Sequence, residues 1–465
     1  MTLAVSVADT PCPEMPLPLR LLLEAERRIA RGQTAASDAI LAGDLGVDVA
    51  FGEAPPGDFD TVLDLTGGTA GLRAAGRLIV PVFDGEVSEA ALWGALLDHS
   101  PPRLGLDISG SGHRDVALPA IEHPHQIRRA ADQVLSRLVQ VLATVAVRGV
   151  DALSQAPADE GRIASSPLRG SAALRFAWEK VADKAGRALN RRLGTEPRWR
   201  VGWRLAPEGG GPLDALPALG AYSVLPDEGQ RYFADPFVWV HGGVHHLFVE
   251  ELPLATGRGI ISHFTISADG RASAPRPVLE TRHHLSYPQI IAHQGQIYMM
   301  PECSASGAVT LYRADPFPDR WVPAFQVIEA ELHDATLAAH EGRFYLFAST
   351  RDLASSSWDS LSVFSADTLT GFFEPLPGNP LLIDRRASRP AGNLTRTEDA
   401  LWRPAQDCTG GYGSALTMAR VTRLDRDGFA QQAAGILRIA GATGAVHGPH
   451  TLNRVPGLEV VDFLS

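Results

Sequence analysis

The chain has 465 residues, 45% of them hydrophobic and 20% charged, which is longer than one hydrophobic core usually supports and ordinary for a folded globular protein. A formal charge of −11 speaks against a nucleic-acid partner, because phosphate binding draws on clustered Lys and Arg. The cysteines Cys12, Cys303 and Cys408 exclude a disulfide framework and lack the paired spacing of a zinc site, so free thiols in a reducing compartment are expected.

In chain order, Glu14, Pro16 and Pro18 break the apolar run that a secretory signal would need, and no export is expected. Residues 1–155 alternate helical periods with short apolar runs. Leu19 to Ile29 and Ala90 to Leu97 read as helices, and Thr61 to Leu65 and Leu78 to Phe83 as buried strands. That alternation predicts an α/β domain with a mostly parallel sheet. A long amphipathic helix from about His125 to Arg148 closes it, with Ile127, Ala131, Val134, Leu138, Leu142 and Val145 at three- and four-residue steps. Arg137 and Arg148 interrupt the apolar stretch from Val134 to Leu153, so no transmembrane segment is expected. The loop Thr66-Gly-Gly-Thr-Ala-Gly71 could offer backbone amides to a phosphate, but it matches neither the dinucleotide nor the P-loop pattern fully, and a plain strand-to-helix turn is the favoured reading.

Residues 156–200 read as a linker with a basic helix, opened by Ser171 as N-cap and closed by Gly194. Arg175, Lys180, Lys184, Arg187, Arg191 and Arg192 could dock it on anionic lipid headgroups. The other reading is a solvated helix whose cations suit its C-terminal dipole. The expected location is cytoplasmic, with peripheral membrane contact through this helix left open.

From 201 to 465 the pattern turns to short strands and tight turns. Phe233-Ala-Asp-Pro-Phe237, Leu285-Ser-Tyr-Pro-Gln289, Leu332-His-Asp-Ala-Thr336, Ala387-Ser-Arg-Pro-Ala391 and Gly448-Pro-His-Thr-Leu452 align on Asp235, Tyr287, Asp334, Arg389 and His450. Gly243, Gly295 and Gly342 each fall eight residues after their anchor, where a hairpin turn wants a positive φ. Five such repeats predict an all-β five-bladed β-propeller. A hairpin centred there sets each anchor opposite Glu250, Glu302, Ser349 or Gln406 and rings the axis with the five anchors.

Polar groups converging on a concavity mark a ligand site. Paired carboxylates can perform glycosidic chemistry, and the candidates are Asp235 as base or nucleophile, Glu302 as acid, Asp334 as modulator, and Glu250. Arg389 and His450 would suit an acidic group on a ligand. The run from Trp402 to Gly413, with Arg403, Gln406, Asp407 and Tyr412, is dense in sugar-binding residue types, and Trp321, Trp358 and Tyr412 could stack on pyranose faces. His245-His246 and His283-His284 point to opposite faces of a strand and cannot chelate one metal. No metal or cofactor is expected.

Phe233-Ala-Asp-Pro-Phe237 with Phe248-Val-Glu250, His284-Leu-Ser-Tyr-Pro288 with Ile297-Tyr-Met-Met-Pro-Glu302, Ser388-Arg-Pro-Ala-Gly392 and Arg403-Pro-Ala-Gln-Asp-Cys408 resemble the N-terminal propeller domain of glucosamine inositolphosphorylceramide transferases. That domain is similar to arabinanase- and xylosidase-type glycoside hydrolase propellers. The hydrolase pattern implies an Asp in the first blade, an Asp in a middle blade and a Glu opening a later one. Asp235 and Asp334 fit the first two, whereas Arg389 stands where the acid would be. More faintly, Phe59-Asp-Thr-Val-Leu-Asp-Leu-Thr-Gly-Gly68 and the helix from Gln126 resemble a formyltransferase-type domain. Its Asn, His and Asp constellation is absent, so formyl transfer is not expected.

Together these readings point to a carbohydrate-active protein of bacterial polysaccharide or glycolipid metabolism, with glycosyl transfer or hydrolysis at the axial mouth. Two alternatives stand beside it: a non-catalytic glycan-binding module that presents an acceptor to a separate glycosyltransferase, and an interaction scaffold.

Overall fold

The computed structural model describes residues 5–7, 15–29, 49–51, 61–65, 76–153, 168–206, 210–226, 228–439 and 447–465. The loop 66–71, half of the 59–68 run, Cys12 and residues 154–167 lie outside the described residues. Two compact units emerge, one of residues 1–195 with Asp352–Ser356 and one of Glu196–Arg351 with Ser357–Ser465.

In the first unit, Thr61–Leu63, Arg77–Phe83, Leu104–Ile108 and Gly112–Ala117 form a sheet in that order. Only its first pair is parallel, and the next two are antiparallel. The expected mostly parallel sheet is therefore corrected to a mixed one. The cause is a tight turn between the last two strands, where Gly110 and Gly112 take φ 77° and 81°, so Leu104 to Ala117 is a hairpin rather than a crossover.

Among the described residues, four α-helices belong to this unit: α1 (Leu17–Ile29), α2 (Glu89–Leu97), α3 (Ile127–Arg148) and α4 (Gly170–Leu193). Ser88 caps α2 by accepting from the Ala90 amide at 3.1 Å. α3 is long and apolar enough to cross a membrane by length and composition. Its stripe from Ile127 to Val145 is nonetheless buried, and it packs on α1 and α2. α4 ends at Gly194 with φ 68° as expected, but it begins after Arg169 rather than at Ser171. It lies on α1 instead of forming a bare connection.

The second unit holds five antiparallel sheets among the described residues. The first runs through Arg231–His241, Val244–Pro253, Ile260–Ile266 and Arg276–Leu279, and the second through Ser286–His293, Gln296–Glu302, Val309–Ala314 and Trp321–Ile328. The third takes Leu332–His340, Arg343–Thr350, Ser360–Ala366 and Glu374–Pro375, and the fourth Thr395–Arg396, Leu401–Asp407, Ala415–Asp425 and Gly428–Leu437. The fifth is composite: Leu452–Val455 and Leu458–Leu464 are completed by Trp199–Leu205 and Ser223–Val224, which precede the first sheet in sequence.

The first hairpin of each of the first three sheets turns at Gly242-Gly243, Gln294-Gly295 or Glu341-Gly342, with both φ values positive in every case. This is the turn whose twist matches that of its strands. Apolar clusters join neighbours in cyclic order. Phe248, Ile290 and Trp321 link the first and second sheets, and Met300, Leu337 and Leu346 the second and third. Phe347, Leu361 and Leu401 link the third and fourth, Leu416, Leu452 and Phe463 the fourth and fifth, and Val201, Leu247 and Leu458 the fifth and first. The sheets thus close on one another, and the first strands of the fifth, first, second and third sheets meet directly.

Candidate ligand site at the ring of inner strands

Each inner strand of the first three sheets carries a β-bulge at the same place. Asp235-Pro236 oppose the single residue Val249, Tyr287-Pro288 oppose Pro301, and Asp334-Ala335 oppose Ala348. The first residue of each bulge is left-handed, at φ 50°, 47° and 49°. A left-handed non-glycine costs about 1–2 kcal/mol, and a bulge re-aims side chains and twists the strand. The bulge also shifts the expected register by one. Glu250, Glu302 and Ser349 sit opposite Ala234, Ser286 and His333, the residues before the anchors.

The strained backbone is held by carboxylates that accept the anchors' own amides. Asp462 Oδ2 accepts from the Asp235 amide at 2.9 Å, Asp235 Oδ2 from the Tyr287 amide at 3.3 Å, and Glu302 Oε2 from the Asp334 amide at 2.6 Å. Tyr287, fully buried, shares a hydrogen bond with Thr336 Oγ1 at 2.9 Å, and its oxygen accepts from the Gly392 amide at 2.5 Å. A Cβ at Gly392 would stand 2.2 Å from the Leu452 carbonyl, so only glycine brings that amide so close.

Cations complete the ring. Arg389 Nε donates to Asp334 Oδ2 at 2.6 Å, and Gln406 Nε2 donates to the same oxygen at 2.8 Å. The guanidinium also donates to the Ser357 carbonyl and hydroxyl and lies 5.2 Å from the Tyr412 ring centroid. Burial pushes the Asp334 carboxyl upward, Arg389 opposes it, and Glu302 and Asp235 add repulsion. Against that upward push, the always-charged guanidinium at 2.6 Å, with Gln406 on the same oxygen, favours the carboxylate form. His450 stands between two acids, with Nε2 3.0 Å from Asp235 Oδ1 and Nδ1 2.8 Å from Asp462 Oδ2, the latter an ion pair rather than a well-aligned hydrogen bond. Burial favours the neutral ring, but Asp462 and Asp235 outweigh it and hold His450 well above the ordinary histidine value.

Two further acids differ in proton affinity. Burial would raise Glu302, yet the hydrogen bond and charge of His333 and the charge of Arg389 hold it well below the carboxylate range. Burial raises Glu250, which lies 3.1 Å from His284 Nε2, and that contact in turn raises His284. The His284 ring is oriented because its Nδ1 accepts from the Gly259 amide at 3.0 Å, which leaves the proton on the nitrogen facing Glu250.

The structure thus brings Asp235, Glu250, Tyr287, Glu302, Asp334, Arg389, Gln406, Tyr412 and His450 into one neighbourhood. Arg403 is fully buried and donates to the Ala387 and Ser388 carbonyls and to Gln431, with burial depressing it to about 9. It holds the Arg389 segment from behind. Asp407 is buried and binds Thr409 through the amide and hydroxyl. Trp321 is corrected from an exposed platform to a core residue, packed on Phe248 and Phe317. Tyr412 instead meets Trp358 at 5.4 Å, Trp199 at 6.0 Å and His450 at 5.3 Å between centroids.

Sequence reasoning missed Asp462, Thr451, His284, His333 and Trp199. Asp462 lies outside the aligned repeats and Thr451 directly follows the fifth anchor, and both hold the first anchor, Thr451 by donating to Asp235 at 2.9 Å. His284 directly precedes the second repeat segment, and His333 lies inside the third, next to its anchor Asp334. The pair His245-His246 behaves as expected, His246 buried against His263 at 2.9 Å while His245 faces the Pro456 carbonyl, whereas His283-His284 lies in the bend before the strand that starts at Ser286. One atom each from Asp235, His450 and Asp462 lies within 4.8 Å of the others, a donor set that could hold a metal ion.

With this geometry in place, residues 218–440 match the family described as "Glucosamine inositolphosphorylceramide transferase 1, N-terminal". The resemblance is shown over that stretch. Glucosamine inositolphosphorylceramide transferase 1 of Arabidopsis thaliana is 29% identical over 203 residues, covering 43% of this chain and 26% of the relative. The protein of the same name from Oryza sativa subsp. japonica is 30% identical over 220 residues, 46% of this chain and 29% of the relative. The chain therefore spans under a third of these relatives' length. Among solved structures, a family 117 glycoside hydrolase of Zobellia galactanivorans aligns over 58% of this chain and 91% of its own, at TM-score 0.37 and 14% identity. The GH62 α-L-arabinofuranosidase catalytic domain of Coprinopsis cinerea aligns over 58% and 96%, also at TM-score 0.37 and 14% identity.

Proposed function

We propose that the five sheets are the blades of a five-bladed β-propeller and that its axial ring binds a sugar-containing ligand in polysaccharide or glycolipid metabolism, presenting it to a separate glycosyltransferase. The observation that carries this reading is the Arg389–Asp334 pair at 2.6 Å. Glycosidic cleavage pairs one protonated carboxyl with one ionised carboxylate across the bond. Here Asp334 is bound to a guanidinium, Glu302 is held ionised, and Asp235 is tied to His450 and Thr451. None of the three offers a proton.

The same pairing bears on the ligand. With Arg389 consumed by Asp334 and His450 by two acids, the ring favours a neutral or amino sugar over an acidic one, in keeping with the glucosamine in the relatives' name. Trp199, Trp358 and Tyr412 would supply stacking faces.

A second reading, bond transfer or hydrolysis, draws on the Glu250–His284 pair, whose raised proton affinity suits a general acid. Asp235 would then act as base or nucleophile and Asp334 as modulator, with Glu250 and His284 taking the role first expected of Glu302.

Calorimetric titration with glucosamine, N-acetylglucosamine and glucuronic acid, and with oligosaccharides containing them, tests the first reading. Binding of the amino sugars is expected to weaken at least tenfold in Asp235→Asn and Glu250→Gln. Preference for glucuronic acid, or binding unaffected by both changes, would overturn it. Turnover of any of these glycans that is lost in Glu250→Gln and retained in Glu302→Gln would establish the second reading.

A further inference from the structure

α4 is turned inside out. Its polar side faces its own unit: Glu179 meets His99 at 2.8 Å, Lys180 pairs with Glu26, and Asp183 lies beside His125 and Arg187. Phe176 is buried against the His99 ring at 4.8 Å. The opposite side carries Leu174, Trp178, Val181, Leu189 and Leu193, all of them exposed, with Trp178 at 72%. Their spacing of four, three, eight and four residues lines them on one face of a 3.6-residue helix. A face like this ordinarily packs against a core, and an exposed apolar patch of this kind marks an interaction site.

Charge selects the occupant. α4 contains six cations and two carboxylates in a chain of net charge −11. Both carboxylates lie on the side turned toward the unit. A second copy of the helix would therefore bring Lys184, Arg191 and Arg192 against like charges. An anionic lipid surface meets both features at once, since it accepts an apolar stripe at the acyl boundary and attracts the flanking cations. Trp is the residue type that favours that boundary. Leu17 and Leu21 of α1, the helix on which α4 packs, are exposed as well and extend the apolar area.

We infer that α4 is a membrane-surface helix that seats the protein on a bilayer containing anionic lipid, through Leu174, Trp178, Val181, Leu189 and Leu193 with Lys184, Arg191 and Arg192 at the headgroups. The inference is independent of what the sheet ring binds.

Co-sedimentation of the full chain with vesicles of phosphatidylcholine alone, and with about one third phosphatidylserine, reads the partitioning. The protein is expected to pellet with the anionic vesicles and to be released by salt. The Lys184→Gln, Arg191→Gln, Arg192→Gln variant should lose on the order of a hundredfold in partitioning, about fivefold per cation. The Trp178→Ser, Val181→Ser variant should lose at least tenfold, and circular dichroism would confirm that both variants keep their helix content. Equal partitioning onto neutral and anionic vesicles, or binding unchanged in both variants, overturns the inference. So does a dimer in sedimentation velocity that the Trp178→Ser, Val181→Ser change dissolves, because that would give the face to a second copy.

Discussion

The strands that carry Asp235, Tyr287 and Asp334 and the segments that carry Arg389 and His450 place polar side chains at one ring by different means. The first three use a bulge and a left-handed residue, and each spends a carboxylate on the strained amide. The last two have no left-handed residue at the anchor and instead bring a cation, Arg389 to Asp334, and His450 to Asp235 and to Asp462 of its own sheet. The early repeats therefore set geometry, and the late ones balance charge. A ring built of either kind alone would be strained without support or would collect unpaired buried charge.

The largest effect should come from breaking that division. Arg389→Met leaves Asp334 buried with Gln406 as its remaining donor, and loss of one partner of a buried pair costs about 3–5 kcal/mol. Adding Asp334→Asn should recover more than half of the loss, since the uncompensated charge is gone. Denaturant melts of the two variants check this. If Arg389→Met costs less than about 1 kcal/mol, the late repeats do not balance the early ones.

A second effect separates the two kinds of anchor by pH. His450 is raised in the folded state above its unfolded value of about 6.5. Its stabilisation is thus complete below pH 6.5 and is lost as pH rises toward the folded value, at up to about 1.4 kcal/mol per unit. Glu302 is lowered, so its contribution is present above the unfolded carboxylate value and fails only in acid. The stability gap between wild type and His450→Gln should shrink as pH is raised from 6.5 to 9, and the gap for Glu302→Gln should stay level over that range. A constant gap for His450→Gln would place the imidazole in the neutral form and remove the charge balance from the fifth sheet.

The contrast also explains what could be read in advance. The five anchors and the hairpin glycines were legible because each repeat demands the same turn at the same distance, and Gly243, Gly295 and Gly342 leave a visible mark. The bulges were not, because the left-handed positions are held by Asp, Tyr and Asp and none is the glycine that such a position would advertise. The one-residue shift of Glu250, Glu302 and Ser349 was hidden with them. Closure by Trp199–Leu205 was also hidden, since that strand pairs with Leu458–Leu464 across more than 250 residues and lies outside the repeat. The partners of the ring acids were illegible for a related reason: His284 and His333 act on a neighbouring sheet, and Asp462 binds the first anchor as well as His450 of its own sheet. In the N-terminal unit, Leu104 to Ala117 concealed its hairpin within a short Ser-Gly turn.

The smallest effect tests whether the strain in the early repeats is local to their role. Gln294 and Asp334 share φ 49°, one at the first position of a hairpin turn and the other at a ring bulge. Asn tolerates the left-handed region better than Gln and is favoured before Gly in such a turn, so Gln294→Asn should stabilise by about 0.5–1 kcal/mol. Asp334→Gly relieves the same torsion, yet it strips Arg389 and Gln406 of their acceptor and should be destabilising by several kcal/mol. Equal φ with opposite sign of effect, read from melts of the two variants, would show that the bulges persist because of what their side chains hold. If Asp334→Gly were neutral or stabilising, torsion would outweigh the ion pair, and the early and late repeats would differ in geometry alone.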